Sequence, residues 1–150
     1  MKPLTILWQR LVTEGETCQR CGSTQQNVLR AMDKLETALR PLGIQPALET
    51  RQIDDAAFHA DPSQSNRIWI AGQALEHWLG ATVGDSPCCS VCGDLPCRTV
   101  QIGGDTYEAI PEALIVSAAM MAAARMTAPT PPAKTAGACC AAPTKRACCD

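Results

Sequence analysis

The sequence predicts a single α/β domain. Segments rich in strand-forming apolar residues lie at positions 4–12, 44–53 and 68–70. Between the first two, apolar residues recur at the spacing of one helical face, which predicts an amphipathic helix over residues 23–39. The chain has 150 residues, the usual size of one domain with one hydrophobic core.

The first predicted strand and helix are followed by a clear break. Pro41 and Gly43 do not continue a helix, so the second strand is expected to begin at position 44. The connector at residues 54–62 has room for one helical turn. The short apolar run at residues 68–70 lies between polar and small residues, which is typical of a buried central strand.

The second half of the chain is predicted to hold two helices and a hairpin. Residues 74–79 suit a short helix that ends at a glycine. A glycine-rich turn joins two strand segments at residues 98–102 and 106–110. Pro111 suits the first position of a helix, which is expected to continue to about residue 125.

Residues 127–150 are predicted to form a flexible tail. Ala, Pro, Thr and Lys dominate this segment, and almost no large apolar side chain is available for burial. The folded domain is therefore expected at residues 1–126, with a cysteine-rich insertion at about residues 81–97.

Charge and hydropathy exclude several classes of partner. The formal net charge is −2 and no basic stripe is present, so nucleic acid is not an expected partner. The N-terminal residues lack the apolar region and cleavage site of a signal peptide. The longest apolar run, residues 113–124, is well short of the roughly 20 residues that span a bilayer. We therefore expect a cytoplasmic protein with no membrane partner.

Ten cysteines dominate the candidate chemistry. Cys18 and Cys21 form a Cys-x-x-Cys pair. The inserted and tail cysteines are Cys88, Cys89, Cys92, Cys97, Cys139, Cys140, Cys148 and Cys149. In a reducing compartment such clusters are typical of catalytic or metal-binding sites rather than of a disulfide framework.

The order of these elements resembles the thioredoxin fold over about residues 4–125. Residues 65–72 resemble the strand whose N-terminal residue, usually a cis-proline, lies against the redox pair, although Asn66 stands here in place of proline. Further motifs are similar to a cysteine-rich bacterial family of thioredoxin-like proteins with no assigned function, at residues 8–12, 17–22, 68–72 and 88–99. The resemblance implies a central mixed sheet of four or five strands, helices on both faces and a cysteine-rich inserted loop.

The pair at Cys18 and Cys21 has two functional interpretations, and a third in which both cysteines are inert and structural. If Thr17 caps the following helix, the cysteines lie at its first turn, where the helix dipole and Arg20 would stabilise a thiolate. Cys18 would then be the exposed nucleophile and Cys21 the resolving thiol. If Ser23 caps the helix, both cysteines precede it and form a metal knuckle. Ser23 begins the better local capping box, but tertiary contacts can override such a signal.

The inserted cysteines predict a metal site. Cys88, Cys89, Cys92 and Cys97 place four thiolates close together in the sequence, enough for tetrahedral zinc. One alternative is a loop of reduced surface thiols. Another joins the Cys-x-x-Cys pair to Cys89 and Cys92 in one site. We expect the inserted loop to leave the sheet at the end away from that pair, so the joint site would require the loop to fold back.

The tail pairs Cys139–Cys140 and Cys148–Cys149 predict a different kind of site, for a soft metal or metalloid ion. Adjacent cysteines do not close an unstrained disulfide with each other. They can converge on a soft ion such as trivalent arsenic, mercury or cuprous copper, with nearby basic residues to balance thiolate charge. The alternative is that these cysteine pairs have no function and result from sequence drift in an unfolded segment.

The sequence therefore predicts a cytoplasmic thiol protein. The leading hypothesis is thiol–disulfide exchange through Cys18 and Cys21, with a protein thiol or disulfide as partner and no cofactor. The alternative is a protein that binds zinc, arsenic, mercury or copper through the inserted cysteines, assisted by the tail, without turnover.

Overall fold

The structure is a computed structural model that describes residues 1–87 and 93–129. In chain order the elements are β1 Lys2–Leu11, α1 Gln19–Leu39, β2 Ile44–Ile53, α2 Asp55–Ala60, β3 Arg67–Ile70, β4 Gln73–Ala74, α3 Leu75–Leu79, β5 Thr82–Pro87, β6 Pro96–Ile102, β7 Asp105–Tyr107 and α4 Glu112–Thr127. Short 3-10 turns follow α1 and α2, at Arg40–Leu42 and Pro62–Gln64. The predicted flexible tail lies almost entirely outside the described residues.

Four strands form a mixed sheet in the order β2-β1-β3-β4. β1 runs parallel to β2, from Lys2 opposite Ile44 to Leu11 opposite Ile53. β3 is antiparallel to both β1 and β4. A parallel pair needs a long crossover connection, and α1 supplies it. The prediction of an α/β fold with a mixed sheet of four or five strands is confirmed, with four strands in the sheet.

The core lies between this sheet and two helices. Leu4, Ile6 and Trp8 are buried on one face of β1, because side chains alternate along a strand. α1 and α4 pack against each other and contact sheet strands. The buried residues of α1 follow helical spacing, as the sequence predicted: Cys21, Thr24, Val28, Ala31, Leu35 and Leu39. The thiol of Cys21 is therefore part of the packed face of α1.

β5, β6 and β7 form a separate antiparallel sheet of three strands. The sequence predicted the β6–β7 hairpin, although β7 is shorter than expected. β5 was not predicted, because it consists of polar, Gly and Pro residues next to a single valine and its side chains are mostly exposed. Its position is determined by backbone pairing with β6 rather than by an apolar pattern.

α4 begins one residue later than predicted. Pro111 is its N-cap residue, with an extended backbone, and Glu112 is the first helical residue. The buried face of α4 consists of Ile115 and four alanines, which allow close packing against α1. Within residues 1–87 and 93–129, every helix is too short or too polar to cross a lipid bilayer.

Candidate functional site: a buried thiol pair

α1 begins at Gln19, and Cys18 is its N-cap residue. The Gly22 N–H donates to the Cys18 carbonyl at 2.9 Å, which is the first bond of the helical ladder. The start at Ser23, with both cysteines ahead of the helix, is therefore wrong. Cys21 and Thr24 are buried, so tertiary packing extends the helix past the local capping signal.

Cys18 and Cys21 are thiols in this structure, and both are buried. Their exposed fractions are 4% and 2%. The expectation that Cys18 is an exposed nucleophile is therefore wrong. Both side chains belong to a core cluster that also contains Cys97. A reagent or partner protein reaches Cys18 only after the residues around it move.

A hydrogen bond joins the side chains of Cys18 and Cys21. A hydrogen bond between the Cys21 and Cys18 side chains, burial, and the charge of Cys18 raise the pKa of Cys21 far above its ordinary value of 9.0. Hydroxyl groups of Ser65 and Thr17 lower this pKa without offsetting the rise. The direction of this shift favours a protonated Cys21 thiol beside the Cys18 sulfur.

The raised pKa of Cys21 predicts a loss of stability at alkaline pH. In the unfolded chain the thiol returns to a pKa near 9.0, so it loses its proton at lower pH than in the folded chain. Stability is complete below that pH and decreases above it, by up to about 1.4 kcal/mol per pH unit. Urea unfolding of the reduced chain between about pH 8 and 11 measures this slope. A Cys21→Ala variant with the same slope as the wild type would contradict the prediction.

Two hydroxyl groups near Cys21 are oriented by the backbone of Leu11. The Leu11 N–H donates to Ser65 Oγ at 3.2 Å. The Thr17 hydroxyl donates to the Leu11 carbonyl at 3.1 Å. The Thr17 proton is therefore engaged, whereas the Ser65 proton can be directed at Cys21 Sγ, 3.7 Å away. Ser65 is the hydroxyl placed to donate to a Cys21 thiolate.

Asn66, directly before β3, connects this strand to β1 and to the segment that follows β7. Its φ is +55°, in the left-handed region that Asn tolerates better than most residues. Its side chain accepts a hydrogen bond from Trp8 Nε1 at 3.3 Å and donates to the Glu108 carbonyl at 3.2 Å. The described residues contain no cis peptide bond. A left-handed asparagine thus occupies the position where the resemblance has a cis-proline.

Arg20 lies between the two cysteines in the sequence and contacts the end of β5 and the segment after β7. Its Nη2 donates to the Pro87 carbonyl at 2.7 Å and pairs with Glu108 Oε1 at 2.9 Å. Glu108 Oε1 also accepts from Ser86 Oγ at 3.1 Å. The guanidinium was expected to stabilise a thiolate, but its charge is directed at the Glu108 carboxylate. The local sequence carries no signal for these contacts, because they join residues far apart in the chain.

β5 ends in contact with Arg20, the residue between Gln19 and Cys21 in the first turn of α1. Pro87, whose carbonyl contacts Arg20, is the last described residue before the inserted cysteines. The expectation that the insertion leaves the sheet at the end away from Cys18 is therefore wrong. α3 ends at Gly80, whose φ of +62° turns the chain. The six extended residues of β5 then carry it about 20 Å, far enough to return to α1.

Cys97 is the one inserted cysteine within the described residues. It lies in β6, is 5% exposed and is disulfide-bonded. No disulfide joins two cysteines of the described part of the chain. The remaining predicted site residues lie outside the described residues: Cys88, Cys89, Cys92, Cys139, Cys140, Cys148 and Cys149.

The described residues form no candidate metal centre. Within positions 1–87 and 93–129, no three His, Cys, Asp or Glu side chains are grouped so that they could hold a metal ion. The predicted four-thiolate site includes three cysteines that lie outside these ranges. It therefore stays a prediction.

Comparison with known proteins places the chain in a family. A family model described as a domain of unknown function, DUF2703, matches residues 4–119. The chain belongs to this family. A protein of Archaeoglobus fulgidus, named only as an uncharacterized protein, is 40% identical over 112 residues, which are 75% of this chain and 82% of the relative. No solved structure matches the chain. The DUF2703 match includes the thiol pair and Cys97.

Proposed function

We propose that this protein exchanges disulfides through Cys18 and Cys21 within a thioredoxin-like fold. The observation that carries the proposal is a buried, hydrogen-bonded thiol pair at the start of a helix. Cys18 is the N-cap residue of α1, where unpaired backbone N–H groups and the helix dipole favour negative charge. Cys21 retains the proton, so the two thiols have different roles.

The strand order supports the thioredoxin-like assignment. The thiol pair follows β1, and β3 is the antiparallel neighbour of β1 in the order β2-β1-β3-β4. The resemblance implies that the residues preceding β3 lie against the redox pair. Ser65, two positions before β3, contacts Cys21 Sγ at 3.7 Å, and Asn66 takes the place of the proline.

Exchange would proceed by two displacements. The Cys18 thiolate attacks one sulfur of a partner disulfide, and the other partner sulfur leaves as a thiolate. Cys21 gives its proton to this leaving group and attacks the Cys18 sulfur. The partner departs as a dithiol, and a Cys18–Cys21 disulfide remains. The pair loses two electrons and the partner gains them. The Ser65 hydroxyl would stabilise the Cys21 thiolate in the second displacement.

The proposed partner is a protein disulfide or dithiol of the cytoplasm, and the reaction needs no cofactor. The ordinary reducing couple of that compartment would keep the pair in the dithiol form between turnovers. A metal-binding protein without turnover is the alternative, in which zinc or another soft ion would be bound by the inserted cysteines.

Equilibration with a small dithiol tests the proposal. The full chain is incubated in mixtures of reduced and oxidised dithiothreitol, quenched with acid, alkylated and digested with trypsin. Cleavage after Arg20 separates Cys18 and Cys21 into two peptides, residues 11–20 and 21–30. We expect these peptides to become disulfide-linked and separate again reversibly as the mixture changes. The Cys21→Ala variant is the control, since it lacks the second thiol.

The outcome that contradicts exchange is a pair that stays reduced in every mixture. Elemental analysis and a thiol titration before and after chelation complete the test. Stoichiometric zinc, with additional reactive thiols appearing after chelation, would support the metal-binding alternative.

A further inference from the structure

We propose that β2 is a homodimer interface, at which two copies of the chain pair their β2 strands antiparallel about a two-fold axis through Thr50. The proposal is separate from the thiol chemistry, because it uses neither Cys18 nor Cys21. It derives from one observation: the edge strand β2 carries exposed, oppositely charged residues, Glu49 and Arg51, on either side of Thr50.

β2 is the long edge of the mixed sheet. In the strand order β2-β1-β3-β4, the two edges are β2 and β4. β4 consists of two residues, Gln73–Ala74, whereas β2 has ten, Ile44–Ile53. Among residues 1–87 and 93–129, β1 is the only strand that pairs with β2. A long edge strand presents a row of unpaired backbone groups, which is a template for pairing with another chain.

The bonds between β1 and β2 show which backbone groups of β2 point outward. The Val12 N–H donates to the Ile53 carbonyl at 3.1 Å, and the Lys2 N–H donates to the Gly43 carbonyl at 2.9 Å. The register between these two bonds is continuous. Because backbone groups of successive strand residues point to opposite sides, odd-numbered residues of β2 bond to β1. The even-numbered residues at its centre therefore present their backbone groups outward: Leu48, Thr50 and Gln52.

These outward groups define the register of the dimer. In an antiparallel ladder, opposed residues that exchange both backbone hydrogen bonds alternate with opposed residues that exchange none. With the axis at Thr50, this residue bonds to its own counterpart, and Leu48 bonds to Gln52 of the second copy. Glu49 then lies directly opposite Arg51 of the second copy, at a position without backbone bonds, where opposed side chains are closest. The two-fold axis produces this pair twice.

Charge selects this register over its neighbours. Side chains alternate along a strand, so Glu49 and Arg51 lie on the same face of β2. An axis through Glu49 would place two glutamates directly opposite each other, and an axis through Arg51 would do the same with two arginines. Like charges in that position are destabilising, whereas opposite charges are stabilising. The register centred on Thr50 is the one that places each charge opposite its complement.

Both charges are available to a second copy. Glu49 and Arg51 are exposed, and neither forms an ion pair with any residue that the structure describes. Arg51 Nη1 donates one long hydrogen bond, 3.5 Å to Gln9 Oε1. On the same face, the half-buried Ala47 and Ile53 would meet across the axis and add an apolar pair at each end. β2 is therefore self-complementary in backbone bonding, charge and apolar contact.

Sedimentation velocity of the full chain measures the assembly. The chain is kept reduced with a phosphine throughout, so that disulfides between copies do not contribute. We expect a species of twice the chain mass of 15.9 kDa at micromolar concentrations, which converts to the monomer on dilution. A chain that stays monomeric up to about 100 μM would overturn the proposal.

Charge reversals test the register. Glu49→Arg and Arg51→Glu each place like charges opposite each other in both pairs, so we expect either change to raise the dissociation constant at least about tenfold. The two single variants, mixed in equal amounts, should form a heterodimer, because each presents one sign of charge to the opposite sign on the other. The double reversal, Glu49→Arg with Arg51→Glu, should restore the homodimer.

Further variants separate the β2 interface from other surfaces. Thr50→Pro removes an outward N–H at the axis without removing a bond to β1, and should give a monomer, whereas Thr50→Val retains the N–H and should give a dimer. Asp33→Arg makes the same change in net charge as Glu49→Arg, but at an exposed position of α1, and should leave the dimer intact. A dimer that survives Glu49→Arg and Thr50→Pro would overturn the proposal. A mixture of the two single charge variants that stays monomeric would do the same.

Discussion

Iodoacetamide is expected to alkylate Cys18 at least about ten times faster than Cys21 in the reduced chain, because the thiolate is the reactive form. The raised pKa of Cys21 keeps that thiol protonated. The two side chains are almost equally buried, so the ratio of rates measures ionisation rather than access. The tryptic peptides 11–20 and 21–30 report each rate separately over about pH 5 to 9.

Removal of Cys18 should make Cys21 more reactive. The Cys18→Ala change deletes the hydrogen bond that is the first cause of the raised Cys21 pKa, and it also deletes the neighbouring charge. Burial alone then opposes ionisation. Adding Ser65→Ala to this variant should slow Cys21 alkylation again, because a hydroxyl group that lowers the Cys21 pKa is lost. Equal alkylation of Cys18 and Cys21 in the wild type would contradict the raised pKa of Cys21.

Glu76→Gln is expected to destabilise the chain by about 3 kcal/mol, because it leaves a buried guanidinium without its carboxylate. The Arg98 side chain is 3% exposed, and its Nη2 pairs with Glu76 Oε1. Burial lowers the pKa of Arg98, and the charge of Glu76 opposes this shift. The ion pair also joins α3 to β6. Urea unfolding at neutral pH measures the loss.

Two further variants show whether burial causes this effect. Glu112 pairs with Arg30 and Lys34, whose side chains are 57% and 68% exposed, so Glu112→Gln should cost less than about 1 kcal/mol. Replacing both charges, as Glu76→Leu with Arg98→Met, should recover most of the stability lost in Glu76→Gln. If Glu76→Gln costs no more than Glu112→Gln, the buried charge is not the cause.

The secondary structure in the first half of the chain could be predicted because its signals are local. β2 has the predicted bounds of residues 44–53, and α1 ends at Leu39, next to Pro41 and Gly43. The apolar spacing of α1 also identified its buried face. In each case the apolar residues recur at the period of a strand or a helix. Tertiary packing then favours the same secondary structure as the local sequence.

The predictions from sequence failed where contacts between distant residues outweigh the preferences of neighbouring residues. The capping box at Ser23 predicts a later helix start, but burial of Cys21 and Thr24 extends α1 to Gln19. β5 has almost no apolar pattern and depends on hydrogen bonds to β6. Cys18 was expected to be exposed because it lies farther than Cys21 from the packed first turn of the helix, yet the structure buries it.

The sequence alone predicts the class of chemistry, since ten cysteines in closely spaced groups are typical of thiol-based sites. It also determined the order of the strands and helices that carry Cys18 and Cys21. Only the tertiary structure decided which of these groups meet. The ties from Arg20 to Pro87 and Glu108 join segments that spacing along the chain cannot relate. The physical reason is that cysteine spacing records only separation along the chain. Burial of the two thiols and the hydrogen bond between them depend on proximity in space, which the packed fold creates.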